Sequence, residues 1–301
     1  MRQLFAVDGL VGVITGGGTG LGLDMAQALC RSGASKIYIL GRRESVLQTA
    51  AKTHPNLHPI VCDVTSKPSL QSAVDTITAE TGYINLLIAN SGIVGPESSR
   101  FDPSLSIAAL RKRLFEDVSM EDFTNVFHVN VTGAYYTMLA FLGLLDAGNG
   151  NAVEKNGYGK PLGEKKTKKA VVPGIQSQVI FTSSISAYSR MYFSAMPYSG
   201  SKAAVSHLTK HASTNLARYG IRVNGLAPGL FPTELAKTLI GDRDPSTEDP
   251  DEPRFIPARR FGLPEETAGT IVYMASRAGA YNNGMILVND GGKLATIPSE
   301  Y

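Results

Sequence analysis

The stretch LVGVITGGGTGLG, residues 10–22, decides the fold that this sequence predicts. Its first part, LVGVI at residues 10–14, is apolar and bounded by glycines, which predicts a buried parallel strand. A glycine-rich turn follows, and residues 23–31 show a helical pattern. A strand, a turn and a helix in this order bring free backbone N–H groups and the positive end of a helix dipole to one point. Such a point is suited to binding a phosphate group.

The glycines of this turn matter because a side chain would keep the backbone away from a phosphate. Gly16, Gly20 and Gly22 set a spacing that differs from the G-x-G-x-x-G of the long dinucleotide-binding folds. A flexible connection without a ligand is the alternative interpretation of such a motif in isolation. Its place between a strand and a helix favours phosphate binding.

Outside this stretch, apolar strand-like segments alternate with amphipathic helical ones. The seven strand candidates are residues 10–15, 36–40, 57–62, 85–89, 178–182, 222–226 and 285–289. This alternation predicts one α/β domain over residues 1–301, with a doubly wound, seven-stranded, mostly parallel sheet and helices on both faces. Ligands bind at the carboxyl ends of parallel strands. We therefore expect the glycine turn, Asp63, Asn90 and Ser184 to converge, because each follows a strand end.

Tyr198 and Lys202 stand four positions apart in YSGSK, residues 198–202. Four residues make about one helical turn, so both side chains leave the same face of a helix. A phenol beside an ammonium is a proton donor with a lowered pKa. The spacing alone also fits an ordinary solvated helix face. The glycine turn, together with Asn130 and Ser184 upstream, favours a catalytic pair over a solvated helix face.

Taken in order, these motifs resemble the single-domain branch of the short-chain dehydrogenase/reductase family. That branch carries T-G-x-x-x-G-x-G, matched by residues 15–22, and an N-A-G segment, matched by residues 90–92 with Ser91 in place of the usual alanine. The resemblance covers residues 10–292 and nearly the whole chain. It implies a Rossmann-type fold and an oxidoreductase that uses a nicotinamide cofactor.

The resemblance also implies three sets of site residues. The catalytic residues it implies are Asn130, Ser184, Tyr198 and Lys202. The cofactor-binding residues it implies are Gly16, Gly18, Thr19, Gly20, Leu21, Gly22, Arg42, Arg43, Asp63, Val64, Asn90, Gly92, Tyr198, Lys202, Pro228, Gly229, Leu230 and Thr233. The substrate-binding residues are predicted to be Ser184, Ser186, Tyr192, Tyr198 and Phe231, and no metal is predicted. The family usually has its serine one residue nearer the tyrosine, so Ser183 and Ser186 remain alternatives to Ser184.

The chemistry of these residues suits hydride transfer to or from a carbonyl carbon. An unperturbed tyrosine titrates near a pKa of about 10, and Lys202 with the positive nicotinamide favours the phenolate. Tyr198 then acts as the acid in reduction and as the base in oxidation. The resemblance implies that Lys202 also holds the nicotinamide ribose and that Asn130 holds a water. It further implies that Ser184 orients the substrate oxygen and that Thr233 contacts the nicotinamide carboxamide.

The choice of cofactor is predicted from LGRR, residues 40–43, at the end of the second strand. NAD-binding turns place a carboxylate there for the ribose 2′-hydroxyl. Arg42 and Arg43 instead suit a 2′-phosphate, which guanidinium groups bind in a forked contact, so we predict NADP(H) over NAD(H). Alternatively, the arginines cap the strand or pair with Glu44. Asp63 resembles the adenine contact of the family, although an aspartate at a strand end is often only a turn or cap residue.

Three segments are predicted to form surface features. Residues 146–178 predict a long, mobile loop, or else a basic patch for an acidic partner. Residues 93–119 predict either a wall of the substrate entrance or a peripheral insertion. Residues 230–260 resemble the lid of the family, and its apolar residues with Tyr192 indicate a hydrophobic substrate or, alternatively, ordinary helix packing.

Composition excludes several other classes of protein. A net charge of +3 over 301 residues gives no reason to expect a nucleic-acid partner. No apolar run reaches about 18 residues, so no membrane span is predicted. Cys30 and Cys62 are predicted to be reduced, and with no signal-peptide pattern this predicts a cytoplasmic location. The apolar helices around Asn130 and Tyr198 resemble the subunit interfaces of the family, which implies a homo-tetramer or homo-dimer.

The sequence therefore predicts an NADP(H)-dependent carbonyl (ketone) reductase or secondary alcohol dehydrogenase that acts on a small-molecule carbonyl or alcohol. Two alternatives remain at this point. One is a non-catalytic NADP(H)-binding sensor or scaffold, and the other is an isomerase or dehydratase that retains its cofactor. The intact set of Asn130, Ser184, Tyr198 and Lys202 favours the oxidoreductase.

Overall fold

A seven-stranded sheet lies at the centre of the computed structural model, which describes residues 2–161 and 172–301. The strands are β1 Val11–Thr15, β2 Lys36–Gly41, β3 Leu57–Val61, β4 Leu86–Ala89, β5 Gln178–Thr182, β6 Arg222–Pro228 and β7 Ile286–Asn289. Their spatial order is β3-β2-β1-β4-β5-β6-β7. All six pairs of neighbouring strands in this sheet are parallel. The predicted fold class, a doubly wound Rossmann-type sheet, is confirmed.

Helices connect the strands and cover both faces of the sheet. They are α1 Arg2–Phe5, α2 Gly20–Arg31, α3 Glu44–Ala51, α4 Lys67–Glu80, α5 Ile107–Arg111, α6 Met120–Phe127, α7 Ala134–Glu154, α8 Met196–Leu216, α9 Lys237–Ile240 and α10 Pro264–Ala275. The chain runs outward from β1 to β3, then returns and runs outward from β4 to β7. The strand order therefore reverses between β1 and β4, which is the point where open α/β sheets bind ligands.

The two faces of the sheet belong to two separate hydrophobic cores. Ile14 of β1 packs in the core that contains Met25 and Leu29 of α2. Its neighbour Val13 faces the opposite core, which contains Phe141 of α7. Because both faces are buried, the strand is apolar at consecutive positions, as the pattern at residues 10–14 predicted.

Helix α7 is longer than the sequence pattern predicted, and the loop predicted from residue 146 is wrong for residues 146–154. Gly148 lies so close to the next layer that a Cβ there would overlap the carbonyl oxygen of Ile84. The side chain of Asn149 accepts a hydrogen bond from the Ser177 backbone N–H at 2.8 Å. Glycine and asparagine are typical of loops when the sequence is considered alone. In α7, Gly148 and Asn149 instead make contacts with neighbouring segments of the fold.

The segment after α7 is anchored to the protein at both of its described ends. Tyr158 and Ile175 are buried in the same core as α2, and the Tyr158 hydroxyl donates to the Ala275 carbonyl oxygen. The prediction of a mobile surface loop is therefore wrong at these two positions. Of the lysines that indicated a basic patch, Lys155 and Lys160 are exposed. The others, Lys165, Lys166, Lys168 and Lys169, lie outside the described residues.

Residues 93–119, between β4 and α6, contain short helical turns rather than a plain loop. A 3-10 turn occupies Glu97–Ser99, and α5 continues into a π-helical turn at Lys112–Glu116. Arg113 closes the segment on itself, because its guanidinium donates to the Ser98 carbonyl at 3.3 Å and pairs with Asp102 at 3.4 Å.

Three further observations concern the described part of the chain. None of its helices is both long and apolar enough to cross a membrane. Within residues 2–161 and 172–301, no group of three His, Cys, Asp or Glu side chains is placed to hold a metal ion. Cys30 and Cys62 are both buried and free.

Candidate active site

One cleft, with a volume of about 860 Å³, opens at the carboxyl edge of the sheet and is lined by residues that follow all seven strands. The predicted site residues lie around it with one exception. Asn130 is absent from the cleft wall and lies buried behind it. The convergence predicted for the glycine turn, Asp63, Asn90 and Ser184 is thus what the fold produces.

The glycine turn is held in place by the neighbouring strands. The Gly16 N–H donates to the Leu40 carbonyl of β2 at 2.7 Å, and Asn90 donates from its side chain to the Thr15 carbonyl at 3.1 Å. Gly16 has a φ of +65° and Gly20 a φ of +51°, which L side chains rarely adopt. The turn therefore keeps an open cradle at the start of α2, whose positive end suits a phosphate.

Replacing Gly22 by alanine is expected to destabilise the protein by at least about 2 kcal/mol, since overpacking a tight site costs roughly 1–3 kcal/mol or more. A Cβ at this position would overlap the Gly16 carbonyl oxygen and lie 2.7 Å from the Asn90 side-chain nitrogen. Chemical denaturation measures the free energy of unfolding. Gly143→Ala on α7 is the matched control, because a Cβ there meets no atom within 4 Å. Equal stability of both variants would contradict the packing argument.

Tyr198 and Lys202 share one face of α8, as their spacing predicted. The Lys202 ammonium lies 5.6 Å from the centre of the Tyr198 ring and donates to the Thr182 carbonyl oxygen at 2.7 Å. Lys202 is buried, and this burial lowers its pKa to about 8. Tyr198 lies in the first turn of α8, where the helix dipole favours an anion.

The pKa of Tyr198 is shifted upward, in the direction opposite to the one expected from a neighbouring lysine. Burial of the phenol is the larger effect and raises its pKa, while the hydrogen bond with Ser184 acts in the lowering direction. The phenol is therefore protonated at neutral pH. That state is the one a proton donor requires.

The three candidate serines occupy different environments. Ser183 is buried, and its hydroxyl donates to the Lys202 carbonyl oxygen at 2.9 Å and lies 2.8 Å from the Ser206 hydroxyl. Ser183 and Ser184 both line the cleft, but the Ser184 hydroxyl accepts only from the Ser186 backbone N–H, at 3.1 Å, and lies near enough to Tyr198 to act in lowering its pKa. The geometry thus favours Ser184 over Ser183 as the serine that meets a substrate, with Ser186 also on the cleft wall.

Asn130 joins two parts of the site from behind. It lies in a π-helical turn, His128–Gly133, between α6 and α7. Its side chain accepts from the Ile93 N–H at 2.8 Å and donates to the Ser201 hydroxyl at 2.9 Å. A Cβ on Gly92 would lie 3.1 Å from the Asn130 oxygen and 3.5 Å from the Lys202 nitrogen. Asn130 therefore fixes the wall against which Lys202 lies.

Arg42 and Arg43 stand at the end of the cleft that follows β2. Arg43 pairs with Glu234 of the predicted lid at 3.4 Å, rather than with Glu44, and both side chains of this pair are largely exposed. Sequence reasoning missed Glu234, whose only local signal is its place beside Thr233. Arg42 is close enough to Asp63 to contribute to lowering the pKa of that carboxyl, although the hydrogen bonds from Thr65 are the larger cause.

The segment after β6 folds over the glycine turn. A Cβ on Gly20 would lie 3.2 Å from the Thr233 methyl group, so Thr233 faces the cradle directly. Phe231 is almost fully buried and packs closely against Gly262. Phe231 therefore lines the cleft and also packs in the interior of the lid, so both interpretations of this residue apply. Tyr192 is partly exposed and packs edge-to-face on Phe193 at the outer rim.

Sequence reasoning also missed a group of cationic side chains at the far end of the cleft. They are Arg100, Arg113, Arg243, Arg254 and Lys293. They come from the segment after β4, from the lid and from the turn after β7, and no local motif marks them. Residues 93–119 thus contribute to the wall of the cleft, as one of their two interpretations predicted.

A parallel doubly wound sheet with a glycine cradle, a serine, a tyrosine and a lysine at its carboxyl edge defines a Rossmann-type oxidoreductase. The family comparison agrees, because residues 11–155 match the short chain dehydrogenase model and residues 151–293 match a model described as enoyl-(acyl carrier protein) reductase. The chain belongs to the short-chain dehydrogenase/reductase family.

Two fungal relatives match the chain over nearly its whole length. The short-chain dehydrogenase/reductase SAT3 of Stachybotrys chartarum is 60% identical over 92% of this chain and 100% of its own. The short-chain dehydrogenase/reductase PhomF of Diaporthe leptostromiformis is 44% identical over 99% of this chain and 96% of its own. Among solved structures, a gluconate 5-dehydrogenase from Burkholderia cenocepacia in complex with NADP and tartrate has a TM-score of 0.75 and 28% identity, with 98% of each chain covered.

Proposed function

We propose that this chain is an NADP(H)-dependent carbonyl reductase or secondary alcohol dehydrogenase. The observation that carries the proposal is the shared position of Tyr198 and Lys202 on one face of α8, with Ser184 on the same cleft wall and near enough to lower the pKa of the tyrosine. The NADP complex of the 28% identical gluconate 5-dehydrogenase supports the choice of cofactor. The exposed guanidinium groups after β2 support it independently.

The residues present fit the cofactor. The cradle at Gly20 and Gly22 has no room for added side chains, and Arg42 and Arg43 flank the place where a 2′-phosphate would lie. Thr233 reaches the same cradle from the lid. When bound, NADPH supplies the hydride.

The protein residues supply the proton and the orientation. Ser184 donates a hydrogen bond to the carbonyl oxygen of the substrate and holds it beside the Tyr198 hydroxyl. Tyr198 gives its proton to that oxygen as the carbon is reduced, and in the opposite direction it takes the proton back. Lys202 stabilises the resulting phenolate, and Asn130 keeps the wall behind Lys202 in place.

The test is consumption of NADPH, followed by its absorbance, against a panel of ketones, quinones and β-ketoacyl esters, with NADH in parallel. Turnover with NADPH above NADH is the expected result. Tight NADPH binding without net consumption on any substrate would favour a non-catalytic binder or a cofactor-retaining isomerase or dehydratase. Faster turnover with NADH would overturn the cofactor assignment.

We also propose that the protein is a cytoplasmic homo-dimer or homo-tetramer. The helices that flank Asn130 present exposed apolar side chains, including Phe123 of α6 and Tyr135 and Leu139 of α7. Contiguous apolar surface of this kind marks interaction sites. Free, buried Cys30 and Cys62 fit a reducing compartment. Light scattering on the purified protein measures its oligomeric state.

A further inference from the structure

Cationic side chains in the cleft form two groups, one after β2 and one on the segments that follow β4, β6 and β7. Arg42 and Arg43 follow β2, whereas Lys293 follows β7. Four strands lie between β2 and β7, and at about 4.8 Å per strand spacing these two strands are roughly 24 Å apart. A single 2′-phosphate cannot bind both groups. The second group therefore serves something other than the cofactor phosphate.

Part of the second group is already neutralised within the protein. Arg113 pairs with Asp102 at 3.4 Å, and Arg243 pairs with Glu248 at 2.6 Å. The remaining members are Arg100, Arg254 and Lys293. Within residues 2–161 and 172–301, these three have no carboxylate at ion-pair distance. The far end of the cleft thus carries an excess of positive charge.

Lys293 is the most buried of these cations, with 4% of its surface exposed. Its ammonium donates to the carbonyl oxygens of Pro253 at 2.6 Å and Phe255 at 2.7 Å, which fix its position without neutralising its charge. The carboxylates of Glu248 and Asp290 lie near enough to favour the charged ammonium, but neither is at ion-pair distance from it, and Asp290 accepts from the Leu294 backbone N–H at 2.8 Å. One N–H of the ammonium remains, on a side chain that lines the cleft. A buried charge of this kind is costly unless a ligand of opposite charge meets it.

Arg100 is a second cation on the wall of the same cleft without an ion-pair partner in the described part of the chain. Its Nε is fully buried and, among the described residues, has no hydrogen-bond partner. Because this atom is closed to the cleft, a ligand would meet other atoms of the Arg100 side chain, which lines the cleft. The planar guanidinium is the side chain best shaped to bind a carboxylate.

Aromatic side chains line the same cleft as these cations and the proposed catalytic residues. Phe101, Tyr192 and Phe193 line it, and the Phe193 ring lies 5.9 Å from the Lys293 nitrogen. Leu294 packs on Ile185, the residue after Ser184. Lys293 is therefore held on the segment that packs directly behind the serine. A ligand with an apolar body would have one end at Ser184 and the other at the cations.

We propose that the substrate is an organic acid: a carbonyl compound or alcohol with an apolar body whose carboxylate is bound by Lys293 and Arg100. The position of the reacting carbonyl rests on the proposed function, but recognition of the carboxylate does not. The acid is expected to bind at least about tenfold more tightly than its neutral ester, because charge-assisted hydrogen bonds are stronger than neutral ones.

The test measures binding to the NADP⁺-loaded protein by calorimetry for benzoylpropionate, benzoylbutyrate and their methyl esters. Lys293→Met and Arg100→Gln are each expected to remove most of the preference for the acid while leaving the affinity for the ester unchanged. Arg218→Gln is the matched control, since Arg218 lies at the end of α8 outside the cleft and stacks on Tyr219. Because the two substitutions lie on separate segments, a local loss of structure in one variant would not explain the same result in the other.

The outcomes separate this proposal from the proposed function. A preference for the acids in the wild type, lost in both variants and kept in Arg218→Gln, supports the carboxylate site even if no ketone is reduced. If every ester binds as tightly as its acid, or no acid binds, the site does not exist. Reduction of esters and acids with equal kcat/KM would uphold the reductase and overturn the carboxylate site.

Discussion

Tyr198→Phe is expected to lower kcat for ketone reduction by about 10²–10⁴-fold, the usual contribution of one general acid, with little change in NADPH affinity. The substitution removes only the hydroxyl, and the ring keeps its place in the first turn of α8. Steady-state kinetics give kcat, and quenching of NADPH fluorescence gives the affinity. A loss in kcat alone would mark an interaction made in the transition state.

The physical reason lies in the environment of the phenol. Burial raises the pKa of Tyr198 above its ordinary value, so the hydroxyl is protonated across neutral pH and available to donate. Ser184 lies near enough to act in the opposite direction, but its effect on the pKa is the smaller one. A water molecule is a poor replacement for the lost proton donor, because it is not held at the position of the Tyr198 hydroxyl.

Tyr219→Phe is the matched control for this substitution. Tyr219 follows the same helix and is 60% exposed, so loss of its hydroxyl is expected to leave kcat unchanged. If Tyr198→Phe retained more than a tenth of the wild-type kcat, a proton donor other than Tyr198 would be required. If it lost NADPH affinity to the same extent as kcat, the hydroxyl would act in binding instead.

The sequence predicts those parts of the fold whose signals are local. Strand β5 begins and ends at the residues predicted, because an apolar run between polar turns has one plausible register. The glycine turn is similarly local, since its function depends on missing side chains within a few residues. The fold class follows from these elements, because parallel strands joined by helices have few allowed arrangements.

Features that depend on contacts between distant segments escape such prediction. The sequence at the end of α7 is typical of a loop, and only the close approach of Gly148 to Ile84, which lies just before β4, explains its helical structure. The ion pair of Arg43 and Glu234 joins residues 191 positions apart. Lys293 and Arg100 likewise reach the wall of one cleft from segments far apart in the chain. A charged residue that is not part of a recognisable motif does not show in the sequence that it lines a binding site.

The double variant Arg42→Gln/Arg43→Gln is expected to lower the affinity for NADPH by on the order of 10²-fold, with the affinity for NADH unchanged. Each hydrogen bond to a charged group contributes about 1.5–3 kcal/mol. Arg43 is 59% exposed, so solvent screening places the effect at the lower end of what two such contacts give. Fluorescence titration with the two cofactors measures the ratio, and each single variant is expected to show part of the loss.

Glu234→Gln separates the phosphate contact from the ion pair. Arg43 and Glu234 are both exposed, so their pairing contributes little to stability. Removing the carboxylate frees Arg43 for a phosphate, and the affinity for NADPH is expected to stay the same or rise slightly, opposite to the effect of the arginine variants. An equal loss for NADPH and NADH in the double variant would mean that the arginines support the lid or α3 rather than the 2′-phosphate. A loss of NADPH affinity in Arg43→Gln without any loss in Glu234→Gln would show that the cofactor phosphate, and not the ion pair, is the functional partner of Arg43.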